Sequence, residues 1–233
     1  MALVGAGMVL RTMTDQPPPA PEPLEIEVKL SVAVPGTVRR LLRNPDPARL
    51  AGFHPIGVAH DVRVDDHYLD TAVNGGGRLS SAGMRARVRW MGGDGTVTVK
   101  RAGVEDRGIT TRVEIEGPAT RSLEPRRWPA SDARTAMLEV IGSDKLREIA
   151  RLRQRRLTLV VERGDTQVEI SLDALEAMAG GRVAARRTEL EAELLRGNVS
   201  DLEALADAFR ALPGVGPALG SKLRFALDAA AGR

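Results

Sequence analysis

The segment Leu24-Glu25-Ile26-Glu27-Val28-Lys29-Leu30-Ser31 alternates strictly between apolar and polar residues. Side chains on a β-strand point alternately to its two faces, so this spacing predicts a strand with one dry face and one ionic face. The same period of two predicts further strands over 61–70, 84–91, 95–101, 109–117, 153–163, 166–173 and 183–195, eight with the first. Helical spacing is confined to about 35–43, 132–138, 144–151, 201–211 and 217–230. The fourth of these opens with the capping signal Ser200-Asp201-Leu202-Glu203. Turns such as Gly92-Gly93-Asp94-Gly95 separate the strands.

The polar positions carry charge of segregated sign. Glu25, Glu27 and Lys29 share one face of the first strand, and Arg85, Arg87 and Arg89 one face of the third. Thr98 and Lys100 follow, then Arg112, Glu114 and Glu116, then Glu169, Ser171 and Asp173, and last Glu189, Glu191 and Glu193. A single Glu-x-Glu or Arg-x-Arg is ordinarily a solvated face over a core. Like charges clustered along one strand repel, however, unless opposite charge lies between them. A closed eight-stranded antiparallel β-barrel with its ionic face inward supplies that arrangement, and its interior holds side chains or one small ligand. The fold class expected is therefore α+β, a barrel with flanking helices. On the sixth strand Arg151, Arg153, Arg155 and Arg156 compete for the inward positions, because a slip of one residue exchanges them. The reading adopted places Arg153 and Arg155 inward. Carboxylates are hard ligands suited to Mg²⁺ or Mn²⁺, whereas guanidinium and ammonium groups suit phosphate oxygens. With metal on some of the acids the lumen becomes net positive, which complements an anion such as triphosphate.

Composition narrows the function classes. A chain of 233 residues suits one domain, or at most two small ones. Residues 1–23 read as a disordered tail, since 16–23 are rich in proline, and 24–233 as a single domain. A net charge of +3 from 34 basic and 31 acidic residues is weak for a nucleic-acid coat. The absence of cysteine removes disulfides, thiolate zinc sites and thiol nucleophiles. Aromatic residues at 3% disfavour a base-stacking platform. No apolar run reaches membrane length and no signal-peptide pattern is present, so the expected location is the cytoplasm. His54, His60 and His67 lack metal-ligand spacing and read as surface or structural groups, and Arg186-Arg187 as solvated surface.

The ordered set of motifs resembles the CYTH superfamily, the triphosphate tunnel metalloenzymes. Glu25-Ile26-Glu27-Val28-Lys29 is similar to its opening Glu-x-Glu-x-Lys strand, and Tyr68-Leu69-Asp70-Thr71 to its Tyr-x-Asp-Thr. Leu79, Gly83, Arg85 and Arg87 match the Arg-x-Arg segment, 97–100 the strand ending in lysine, and 112–116 Arg-x-Glu-x-Glu. Residues 168–173 and 189–194 match the closing acidic strands, and Ser221-Lys222 the Ser-Lys of the terminal helix. The resemblance covers about residues 24–229. It implies hydrolysis of inorganic or organic triphosphates. Some members of the superfamily instead cyclise ATP to cyclic AMP, and some bind polyphosphate. The closing motif resembles the CYTH module often fused to a CHAD domain; the chain ends at Arg233, so a stand-alone module is expected.

By this resemblance Glu25, Glu27, Glu189 and Glu191 hold Mg²⁺ or Mn²⁺, assisted by Asp173 or Glu169. Lys29, Arg85, Arg87, Lys100, Arg112 and Arg153 or Arg155 grip phosphates, with Lys222 at one tunnel mouth. Glu114 or Glu116 orients the attacking water. Tyr68 and Asp70 read equally as site or structural residues. The expected partners are a triphosphate or polyphosphate substrate and, at most, a second copy of the chain in a homodimer. Neither nucleic acid nor membrane is expected. A cyclase would need a nucleoside pocket, for which rings are scarce, and a non-catalytic binding module would not need so full a carboxylate set.

Overall fold

In the computed structural model, which describes residues 23–72 and 76–232, the alternating segments are strands. The order is β1 (Leu24–Val32), α1 (Pro35–Arg43), β2 (His54–Asp70), α2 (Arg78–Ser81), β3 (Met84–Met91), β4 (Asp94–Arg101), β5 (Val104–Asp106) and β6 (Ile109–Ala119). There follow α3 (Asp132–Ile141), β7 (Arg147–Arg163), β8 (Thr166–Ala179), β9 (Arg182–Arg196), α4 (Val199–Arg210), β10 (Val215–Pro217) and α5 (Lys222–Ala230). The expected tail over 1–23 lies, except for Pro23, outside the described residues.

Eight strands close into an antiparallel barrel in the order β1-β9-β8-β7-β2-β3-β4-β6 and back to β1. Closure is made on β1, whose residues 24–28 pair with β6 and 27–31 with β9. Where β6 ends, β10 takes over the same edge of β1 through Leu30, Ser31 and Val32. The β8–β9 hairpin turns on Gly180-Gly181, both at positive φ, as a two-residue turn requires if it is to follow the strand twist.

The barrel is apolar on the outside. Val28 and Leu30 of β1, Leu157, Leu159 and Val161 of β7, Ile170 and Leu172 of β8, and Leu190 of β9 face outward. There they pack under Val38, Leu41 and Leu42 of α1 and Leu202, Leu205 and Phe209 of α4. A second outer cluster seats α3, through Ala133 and Met137, on Ala86, Val88, Val97 and Val99. Burying these faces under helices is what allows the opposite, ionic faces to turn inward. No helix among the described residues is long and apolar enough to cross a membrane.

Several expected boundaries move. Of the segment read as helix over 144–151, residues from Arg147 onward are instead the start of β7, drawn into the ladder by pairing of Tyr68 with Ala150 and Asp70 with Arg147, and 144–146 form the loop before it. The terminal helix starts at Lys222 rather than 217, because Val215–Pro217 is occupied as β10. Strand β2 starts at His54, ahead of the expected 61, and β8 continues to Ala179.

Candidate active site

Alternation along the barrel strands converges the ionic faces on a central cavity of about 370 Å³. Among the described residues eight basic and seven acidic side chains line it. A second chamber of about 480 Å³ continues past Lys29, Arg85, Lys100 and Arg112 toward the loop that carries β5 and toward residues 217–221. The charges inside form two interlocked groups.

The first group is built on Glu25 and Glu27, both buried. Lys100 Nζ lies 2.8 Å from Glu25 Oε1 and 2.5 Å from Glu114 Oε2. Arg112 Nε lies 2.6 Å from Glu25 Oε2, and the same guanidinium also holds Glu27. Arg87 lies between Glu114 and Asp66. The Asp66 carboxylate, fully buried, accepts a two-pronged hydrogen bond from Arg89 at 2.7 and 2.9 Å and a further one from Gln154. Burial would raise the Asp66 pKa, but Arg87 and Arg89 outweigh it and hold the carboxyl well below the usual range. Burial, followed by repulsion from Arg87, lowers the Lys100 ammonium.

The second group centres on Glu191. Lys29 Nζ lies 2.7 Å from it, Lys222 Nζ 2.8 Å and Arg156 Nη2 3.0 Å. Arg156 and Lys222 also share the wholly buried Asp173. Burial alone would depress the Lys29 pKa, yet Glu191 and Glu27 carry it above its ordinary value. The Glu191 carboxyl, despite burial, is held far below its own ordinary value by Lys222 and Lys29. Ser221 caps α5 by accepting a hydrogen bond from the Arg224 N–H at 3.1 Å, and so sets Lys222 at the first turn with its ammonium in the tunnel.

The structure brings Lys29, Arg85, Arg87, Lys100, Arg112 and Lys222 to the tunnel wall, together with Glu25, Glu27, Glu114, Glu116, Glu169 and Glu191. Glu116 is the outermost of the acids, exposed and accepting from Thr98 at 2.7 Å. Asp70 is structural, since it accepts from the N–H groups of Thr71, Leu79 and Ser80 and so ties α2 to β2. Tyr68 lines the cavity, and burial, then the Asp66 charge, push its hydroxyl up to about 12.

One reading is corrected. Arg153 and Arg155 point outward and are exposed; the inward arginine of β7 is Arg156. Leu157, Leu159 and Val161 occupy the outer core, so the even positions Gln154, Arg156 and Thr158 must face the lumen. Asp66 is the buried anchor that alternation missed. Polar residues stand on both faces of the strand at Asp65-Asp66-His67, leaving no period to read.

Of the six carboxylates expected to hold metal, Glu25 and Glu27 belong to the first group and Asp173 and Glu191 to the second, whereas Glu169 lines the cavity apart from both and Glu189 is buried beside Arg187. Among the described residues no three acids or histidines converge as a ready metal cage. Two observations nevertheless fit a divalent cation. Glu193 stands across the ladder from Glu27 on one side and Glu169 on the other. Burial, then crowding by Glu25 and Glu114, pushes its carboxyl up to about 7, the mark of uncompensated negative charge. Glu189 is buried with both oxygens lacking a hydrogen-bond donor, although Arg187 lies 2.5 Å away at an angle that makes no hydrogen bond. The donors are all hard oxygens, the chemistry Mg²⁺ and Mn²⁺ select.

A closed eight-stranded antiparallel barrel with flanking helices, the fold class expected from the sequence, thus encloses a cavity of interleaved acids and bases. The sequence matches no protein-family model and no curated protein. Among solved structures the chain is similar to the adenylyl cyclase-like HpAC1 from Hippeastrum, reported with a dominant triphosphatase activity. That likeness has 19% identity and a TM-score of 0.64, over 87% of this chain and 94% of that one. It is also similar to the adenylate cyclase-like bh2851 of Bacillus halodurans, with 16% identity, a TM-score of 0.55 and coverage of 87% and 97%. A third likeness is to PH1819 of Pyrococcus horikoshii, with 18% identity, a TM-score of 0.51 and coverage of 87% and 98%.

Proposed function

We propose that the tunnel hydrolyses a short triphosphate, inorganic tripolyphosphate or an organic triphosphate, with Mg²⁺ or Mn²⁺ bound. The observation that carries this reading is the pairing inside the lumen: most cations suited to gripping phosphate are already held by carboxylates suited to holding metal. Entry of a metal triphosphate lets each side change partner without leaving buried charge uncompensated. The reported activity of the Hippeastrum protein supports the same reading.

In this mechanism Lys29, Arg87, Lys100, Arg112, Arg156 and Lys222 hold the phosphates in line and stabilise charge developing on the transferred phosphoryl group. Glu25, Glu27, Glu191 and Glu193 would hold the divalent cation, which when bound supplies further charge neutralisation at the phosphate oxygens. Glu114, between Lys100 and Arg87, accepts a hydrogen bond from the attacking water and orients it toward the terminal phosphorus. Glu116 lies too near the mouth for this. Tyr68 is the one aromatic residue in the described lining of either chamber, which leaves little surface for an adenine and places hydrolysis ahead of cyclisation. A cytoplasmic location belongs to the same proposal.

The test is to incubate the protein with tripolyphosphate, ATP and thiamine triphosphate, each with Mg²⁺ or Mn²⁺, and to measure phosphate and cyclic AMP. We expect phosphate release that chelation abolishes. Glu27→Gln and Lys29→Ala each lower turnover by at least about 100-fold, the scale of removing one electrostatic stabiliser of the transition state. No turnover of any of the three by the parent protein would sink the proposal.

A further inference from the structure

The outer wall of the barrel carries a second cationic site, separate from the tunnel. Arg63 on β2 stands directly opposite Arg155 on β7, and the row continues through Ala174 on β8 to Thr188 on β9. Like charges directly opposed on neighbouring strands repel. Neither guanidinium makes a hydrogen bond or ion pair among the described residues, and the nearest acids on this face, Asp61, Asp65 and Glu176, are held by Arg43, Arg151 and Arg186. The next rows behave differently: Arg151 holds Asp65, and Arg186 holds Glu176 at 3.0 Å. Beside Arg155, the small Ala174 leaves the floor open, and a groove of about 940 Å³ runs over it, larger than either tunnel chamber. Val32, Pro35 and Trp90 give the groove apolar walls. The same border holds the start of α1, with no side-chain cap and no acidic residue in its first turn, so the positive end of the helix adds to the field.

We propose that this groove docks an acidic peptide segment of a partner protein, one that carries an apolar side chain among its carboxylates. Arg63 and Arg155 present forks that match two carboxylates, and Arg153 lies one row away. Trp90 at one end of the groove, and Val32 with Pro35 at the other, offer the apolar surface on which that side chain lies. Those walls are what favour a peptide over a bare phosphate chain, which would gain nothing from them. The site does not depend on what the tunnel hydrolyses.

The experiment uses the full chain in the presence of chelator. Fluorescence anisotropy follows labelled glutamate peptides in which one Leu, Phe or Trp is moved through the run. We expect saturable binding of the apolar-containing peptides, weakened at least about tenfold in Arg63→Gln/Arg155→Gln, the scale of losing charge-assisted bonds. Removing two mutually repelling charges leaves the melting temperature of that variant at or above the parent's, which separates loss of the site from loss of the fold. Turnover in the tunnel is unchanged. Failure of every peptide to bind the parent, or equal binding to the double variant, would overturn the proposal. So would equal binding of an all-glutamate peptide, which would show that the apolar walls play no part. Displacement of the peptide by tripolyphosphate from protein carrying Lys29→Ala would assign the groove to phosphate instead.

Discussion

Arg155 and Arg156 are neighbours in sequence and lie on opposite sides of the barrel wall. Arg156 shares Asp173 and Glu191 with Lys222 inside the tunnel, whereas Arg155 faces Arg63 outside. Arg156→Ala is therefore expected to lower kcat/KM for tripolyphosphate by about 10–100-fold, and Arg155→Ala to leave it within about twofold. Steady-state phosphate release by the two variants checks this, and equal losses would refute the assignment of faces. The sequence Arg151-Leu152-Arg153-Gln154-Arg155-Arg156-Leu157 misleads because its apolar phase changes from even to odd. Leu152 is buried on the lumen side under α5, while Leu157 is buried on the outer side under α1 and α4. Counting back from Leu157, Leu159 and Val161 would have placed Arg156 inward. The inward charges of β1, β3, β6 and β9 were legible because each of those strands keeps one phase through the site.

At the scale of elements, the tunnel depends on a helix that contributes one charge. Helix α5 packs on β7 and β8 through Ala226, which meets Leu152, Ala150 and Ala177, and its capping residue Ser221 fixes where Lys222 starts. Ser221→Ala is expected to cost about 1 kcal/mol of stability, as loss of a helix cap does. The frayed first turn would raise KM for triphosphate more than it lowers kcat, since in the proposed mechanism Lys222 holds substrate in the ground state as well. Thermal melts and steady-state kinetics read the two effects apart; a normal KM with reduced stability would make Lys222 structural only. The Ser-Lys pair is visible in the sequence, but helical spacing alone sets the start of its helix five residues too early. Nothing local in residues 217–221 shows that β1 has a free edge for Val215–Pro217 to fill. The helix expected over 144–151 failed for a similar reason, since pairing with a long β2 outweighs local spacing.

For the whole molecule, the buried ion pairs make stability depend on pH. Asp66 is more acidic in the folded chain than a free carboxyl, held down by Arg87 and Arg89. Its contribution is thus complete above the unfolded carboxyl range, near about pH 4, and is lost as pH falls below it. The melting temperature should drop on acidification from about pH 6 to about pH 3, and Asp66→Asn should flatten part of that slope. The same variant loses about 3–5 kcal/mol at neutral pH, because Arg87 and Arg89 are left buried without their counter-charge. An unchanged acid slope in that variant would show that other carboxylates carry the effect. By itself, the sequence determined that this chain makes a barrel of strands with one ionic face each, since alternation and sign segregation are local properties. Only the tertiary structure decided which charges meet: that Glu191 gathers Lys29, Arg156 and Lys222, that Asp66 anchors two arginines, and that Arg63 and Arg155 are left facing one another outside. Register and helix cover set those meetings, and both come from contacts between segments distant in the chain, which no local pattern records.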